Sequence, residues 1–280
     1  MELFRSKRRV GTTGVLCVLT LWLAACATSP NGIGQNDGVV LDVPTPSQDT
    51  DERRHARIRL ELGINYYQAG QYVTAIDELR QAIKIDNQFA DPYAVMGLVF
   101  MDLGDVKQAE ANFLAGLRVA PRDPDLNINY GWFLCQNQQV AAAIERFKYV
   151  LRNPLVRNRA KPLQNLGVCS IKVNDVVGAE DYFAQALQFD ASNSVALQYL
   201  TEIALKRQDV ERAKVFADRL LFVARTADHL WLGVRVLRAA NMVKEERDLA
   251  RNLRQNFPES KEAQWLSRGE FQQSAIIIPL

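Results

Sequence analysis

Four cysteines and two histidines are the residues of this 280-residue chain best suited to covalent or proton-transfer chemistry. A cysteine thiolate can carry a lipid through a thioether or pair with a second cysteine, and an imidazole can move a proton near neutral pH. His55 and His229 lie far apart on different repeats, and the sequence names no set of partners that would position either as an acid or base. Each therefore reads as a surface or packed residue. No His/Cys/Asp/Glu cluster has metal-ligand spacing, and no Gly-x-Ser-x-Gly elbow or phosphate-binding loop occurs. Gly32-Ile33-Gly34 follows no strand pattern and reads as linker. The expectation is a non-enzyme without metal, cofactor or small-molecule substrate.

The cysteines divide by position. Cys17 and Cys26 lie near the N-terminus, where Arg5, Lys7, Arg8 and Arg9 precede the uncharged stretch from Val10 to Leu23. That stretch is shorter than the roughly 20 apolar residues of a spanning helix and suits the apolar core of a signal peptide. It ends in Leu23-Ala24-Ala25-Cys26, which resembles the lipobox of bacterial lipoproteins. The resemblance implies cleavage before Cys26, a diacylglyceryl thioether on its sulfur and an acyl chain on the new amino group. Two or more chains hold a membrane stably, since each buried methylene contributes about 0.8 kcal/mol. Ala27 stands where an inner-membrane retention signal would have aspartate, so the same resemblance implies lipid anchoring at the outer membrane, facing the periplasm.

Without residues 1–25 the formal charge falls from +2 to −1, which excludes a generally basic nucleic-acid binder. With 48% hydrophobic and 24% charged residues the chain can bury a core. Residues 26–52 are rich in Ser, Pro, Gly, Asn, Asp and Thr and read as a flexible linker. Such a leash spans about 28 Å end to end.

Beyond it a period emerges. Gly63, Gly97, Gly131, Gly167 and Gly233 each follow a large residue, with Thr201 in the remaining slot. Twelve residues beyond each marker stands a small residue (Ala75, Ala109, Ala143, Ala179, Ala213), with Glu245 the exception. Four further on comes Leu79, Phe113, Phe147, Phe183, Ala217 or Leu249. Between these marks the apolar residues follow a helical period, broken near Gly70, Gly104 or Asn137. Small residues let two antiparallel helices approach, and large ones fill the next turn. The pattern resembles the tetratricopeptide repeat and implies an all-α fold, a right-handed superhelical solenoid of about six helix-turn-helix repeats over residues 53–260. Asp91-Pro92 and Asp123-Pro124 read as helix starts, aspartate as the cap and proline in the first turn. Residues 261–280, ending in Ile276-Ile277-Ile278-Pro279-Leu280, read as a tail that caps the last repeat, with a partner-binding tail as the alternative.

Cys135 and Cys169 fall on the first helices of the third and fourth repeats, which should be neighbours. They are either a disulfide or two buried free thiols. The run Arg53-Arg54-His55-Ala56-Arg57 reads as the solvated start of the first helix, with anionic lipid as the alternative.

In the tetratricopeptide family the first helices line a concave groove. Carrying its slots onto this chain selects Leu60, Ile64 and Tyr67 in repeat one, Leu98 and Met101 in repeat two, Ile128 and Trp132 in repeat three, and Val168 and Ile171 in repeat four. Arg57, Asp91, Asp125 and Lys161 occupy the outermost slot. An apolar stripe of this kind suits an apolar peptide or helix.

The lipobox, the six repeats and the strings Asn129 to Cys135 (NYGWFLC), Trp231 to Arg235 (WLGVR) and Asn256 to Ser260 (NFPES) together resemble the PilF/PilW family of type IV pilus biogenesis lipoproteins. Members act as pilotins or pilus-stability factors. The resemblance implies a pilus secretin as the partner in the groove and a role in its outer-membrane localisation and multimerisation. A scaffold for β-barrel assembly or for cell-wall enzymes is the alternative.

Overall fold

The computed structural model describes residues 50–279, all of its regular structure helical. The expected signal peptide, Cys26 and nearly all of the expected linker lie outside the described residues. Thirteen helices follow in order: α1 (Asp51–Gln68), α2 (Tyr72–Ile85), α3 (Asp91–Asp102), α4 (Val106–Val119), α5 (Pro124–Gln136), α6 (Val140–Arg152), α7 (Ala160–Lys172), α8 (Val176–Phe189), α9 (Ser194–Lys206), α10 (Val210–Val223), α11 (Ala227–Ala239), α12 (Val243–Asn256) and α13 (Lys261–Arg268). The first twelve form six antiparallel pairs, and α13 packs on α11 and α12.

The glycine markers act through their missing Cβ. A Cβ on Gly97 would meet the Phe113 ring at 2.6 Å, and one on Gly167 would meet Phe183 at 2.6 Å. Each ring occupies space that any side chain at the marker would need. Repeat five replaces the pair with Thr201 and Ala217, both buried, so the volume moves from one helix to the other. Thr201 satisfies its hydroxyl by donating to the Leu197 carbonyl at 2.7 Å.

The turn inside each pair needs one residue in the left-handed region. Gly70 and Gly104 supply it in repeats one and two, whereas Gln138, Asn174, Gln208 and Asn241 do so in the other four. The third break thus falls on Gln138, one residue after Asn137. Asp123 caps α5 as expected from Asp-Pro, accepting from the Leu126 amide at 2.7 Å. Asp91 behaves differently: Ala90 is the cap of α3, and Asp91 is its first residue. There its charge still complements the helix dipole. At the other end of the domain, α1 begins at Asp51, two residues ahead of the expected repeat start, with Thr50 as its cap.

Curvature follows from which helices meet. The first helices touch in succession, α1 with α3, α3 with α5, and so on to α11, while no two second helices are in contact among the described residues. The first helices therefore line the inner, concave side. The core is close to continuous along the solenoid. One apolar cluster runs from Ala90 through Phe113, Phe133, Phe147 and Phe183 to Ile203, with smaller clusters at either end. Rings join neighbouring repeats: Phe113 lies 5.6 Å from Phe133 between centroids, and Phe183 stacks on Tyr199 at 4.8 Å.

Candidate interaction face on the first helices

The nine apolar groove positions separate into two sets. Leu60, Ile128, Val168 and Ile171 are buried within the core clusters, Ile128 with 1% of its surface exposed. Ile64, Tyr67, Leu98, Met101 and Trp132 are half-buried and pack on the same clusters from outside. The reason is geometric. Residues three and four apart share a helix face, and one broad face must serve both the next repeat and the groove. The reachable apolar surface thus belongs to repeats one to three.

Polar contacts tie these first helices together. The Tyr67 hydroxyl donates to Asp102 Oδ2 at 2.7 Å, joining α1 to α3. Burial, and then the acceptor Asp102, push the Tyr67 phenol above the ordinary tyrosine value, so it stays a donor through the physiological range. Lys172 on α7 donates to Gln136 Oε1 on α5 at 2.8 Å. The outer slots are polar. Asp91 is exposed as a residue, yet loss of water around its carboxyl and the nearby Asp123 push its pKa up, opposed by Arg57 and Arg53. Arg53 itself is committed to packing: it pairs with Asp86, donates to the Gln88 carbonyl at 3.1 Å and lies 4.7 Å over the Phe89 ring. That guanidinium holds the Asp86 carboxyl below its ordinary range. Of the basic run, Arg53 is therefore not available to lipid.

Cys135 and Cys169 join α5 to α7 as a disulfide, with Sγ atoms 2.04 Å and Cα atoms 5.9 Å apart. Closing a loop of 34 residues limits the unfolded chain, and reduction is expected to lower stability by about 3–4 kcal/mol in the chain-entropy picture. Urea unfolding with and without dithiothreitol measures it; coincident curves would contradict it.

The histidines are not brought together. His55 is exposed on α1, while His229 is buried on α11, with Nδ1 lacking a partner and Nε2 3.9 Å from Asp228. Among the described residues no group of three or more His, Cys, Asp or Glu is placed to hold a metal ion. No described helix is long and apolar enough to cross a membrane.

The expected capping tail, residues 261–280, divides into two parts. The end-capping role falls to α13, and residues 270–279 turn back across the inner side of α11 and α9. The sequence carries no sign of this, since Ile276, Ile277 and Ile278 are alike in type, and only the structure buries Ile278 while leaving Ile277 exposed.

Comparison with known proteins agrees with this architecture. Tetratricopeptide-repeat family profiles match residues 63–104 and 95–160. A protein of Pseudomonas aeruginosa, the type IV pilus assembly protein PilF, is 29% identical over 255 residues, covering 88% of this chain and 94% of that protein. An uncharacterized protein of Haemophilus influenzae is 21% identical over 51% of this chain and 79% of its own length. Among solved structures, PilW, a widely conserved type IV pilus biogenesis factor, superposes with a TM-score of 0.68 at 24% identity, covering 76% of this chain and 98% of PilW. The Pseudomonas aeruginosa PilF structure gives 0.69 at 23% identity, over 79% and 100%. The two structures share the fold: the chain is an all-α solenoid carrying tetratricopeptide repeats, similar along most of its length to the PilF pilus assembly protein.

Proposed function

We propose that this protein acts in type IV pilus biogenesis as a non-enzymatic, outer-membrane lipoprotein. It binds the pilus secretin and promotes its localisation and multimerisation in the outer membrane. The observation that carries the reading is the match to the PilF pilus assembly protein over 88% of this chain and 94% of that one. The half-buried apolar side chains Ile64, Tyr67, Leu98, Met101 and Trp132, all on first helices of repeats one to three, support a protein ligand, because partly accessible apolar and aromatic groups can anchor a partner. In this mechanism lipid on Cys26 supplies membrane affinity, the linker supplies reach, and repeats one to three hold an apolar segment of the client. Tethering raises the client's effective concentration at the membrane without further contacts.

Ile64→Asp places a charge at the reachable face without entering the core, unlike a charge at the buried Leu60. The variant is expected to keep native helical circular dichroism while losing secretin multimers on gels of unboiled membranes. Normal multimers in that variant would overturn the assignment to repeats one to three. Cys26→Ser is expected to move the protein from the membrane to the soluble fraction. Unchanged membrane fractionation would refute the lipid anchor.

A further inference from the structure

The inner side of α9 and α11 already holds a peptide. Residues 270–279 cross it without helical structure, and the polar contacts that seat them go largely to their main chain. Trp231 Nε1 donates to the Gln273 carbonyl at 2.9 Å, Arg235 Nε to the Phe271 carbonyl at 3.1 Å, and Lys206 Nζ to the Ile278 carbonyl at 2.5 Å. Donors aimed at carbonyl oxygens hold a main chain that turns at Glu270–Gln273, and they are indifferent to its side chains. Two apolar side chains supply selectivity. Phe271 stacks on Trp231 at 5.5 Å and lies 3.8 Å under the Arg238 guanidinium, while Ile278 is 2% exposed in the central apolar cluster. Beside the segment remains a cavity of about 750 Å³, lined by Leu205, Arg235, Phe271 and Ile276 among others.

The segment is also an imperfect ligand. Glu202, 3% exposed, receives Arg235 and the Ser274 hydroxyl on Oε1, each at 2.5 Å, but its Oε2 has no hydrogen-bond donor. A buried carboxylate oxygen left unpaired is costly, so a ligand with one more hydroxyl or amide at this point would bind more strongly than the tail.

We infer that the concave face of repeats five and six is a second peptide-binding site, for a non-helical, apolar-anchored segment of a partner protein, and that the chain's own residues 270–279 occupy it as an exchangeable strap. The partner's segment has the chemistry of the strap: an aromatic residue, then β-branched residues five and seven positions later, with uncharged residues between. This site is separate from Ile64, Tyr67 and the other groove residues of repeats one to three, so it stands or falls independently of the proposed function.

The probe is a fluorescein-labelled synthetic peptide carrying the sequence of residues 270–280, read by anisotropy against the full mature chain. Covalent attachment gives the strap a high local concentration, so the intact chain is expected to bind the probe about tenfold or more weakly than the full-chain variant Ile276→Asp/Ile278→Asp. Lys206→Ala added to that variant should weaken the probe again, and a probe with serine for Phe271, Ile276 and Ile278 should not bind. Equal affinity for intact and variant chains, or no binding by a variant that keeps its cooperative melt, would overturn the inference. Should the variant fail to fold, hydrogen exchange on the intact chain decides. Excess unlabelled peptide is expected to raise deuterium uptake in residues 270–279, and unchanged uptake at saturation would show a fixed structural segment instead.

Discussion

Replacing Arg235 with Met is expected to destabilise the domain by about 3–5 kcal/mol, although the new side chain is similar in length and apolar. The Arg235 and Glu202 side chains are 10% and 4% exposed, and Nη1 lies 2.5 Å from Oε1. A charge withdrawn from water this far is tolerable only with its counter-charge and hydrogen bonds in place. The substitution leaves Glu202 buried with the Ser274 hydroxyl as its remaining donor and an Oε2 that already has none. It also removes the donor to the Phe271 carbonyl. Urea unfolding followed by circular dichroism reads the loss. The double variant Glu202→Gln/Arg235→Met should recover much of it, because the orphaned charge and not the lost pair is the main cost. A loss under about 1 kcal/mol for Arg235→Met would mean that the carboxylate is solvated after all.

Phe113→Ala is expected to cost about 3–5 kcal/mol, the range for emptying a fully buried aromatic site. The ring is 0% exposed and lies between Gly97 on its own repeat and Tyr130 and Phe133 on the next. It therefore holds the helix pair together and joins repeat two to repeat three. A repeat array transmits such a loss through its interfaces. The Gly97 contact supplies an internal check. In the native chain Gly97→Ala should cost about 1–3 kcal/mol, since its Cβ would meet a ring wedged on its far side by two other aromatic residues. In the Phe113→Ala background the same methyl enters vacated space and should be neutral or stabilising. Simple additivity in this double-mutant cycle would show that the two positions are not the packing pair they are taken to be.

The repeat architecture was legible because it is written locally and then repeated. Glycine and its large partner recur at a fixed offset, so one loss, as at Thr201 and Ala217, does not obscure the register of the other repeats. The turns were less legible, since Gln138 and Gln208 adopt a backbone that favours glycine and carry no compositional sign of it. The groove was legible as a face but not as a surface. Slot arithmetic finds Ile128 and Trp132 alike, and only the position of the neighbouring repeat decides that one is sealed and the other reachable. The strap was hidden for a different reason. Its contacts join residues 206, 231 and 235 to residues 271–278, and the acceptors are main-chain carbonyls, which every residue possesses.

The central claim is that the inner face of repeats one to three holds the pilus secretin. A photoreactive phenylalanine analogue in place of Trp132, activated in intact cells and followed by identification of the trapped protein, tests it most directly. The secretin is expected as the main cross-linked product. Capture of a β-barrel precursor or a cell-wall enzyme in its place, with no secretin adduct, would contradict it.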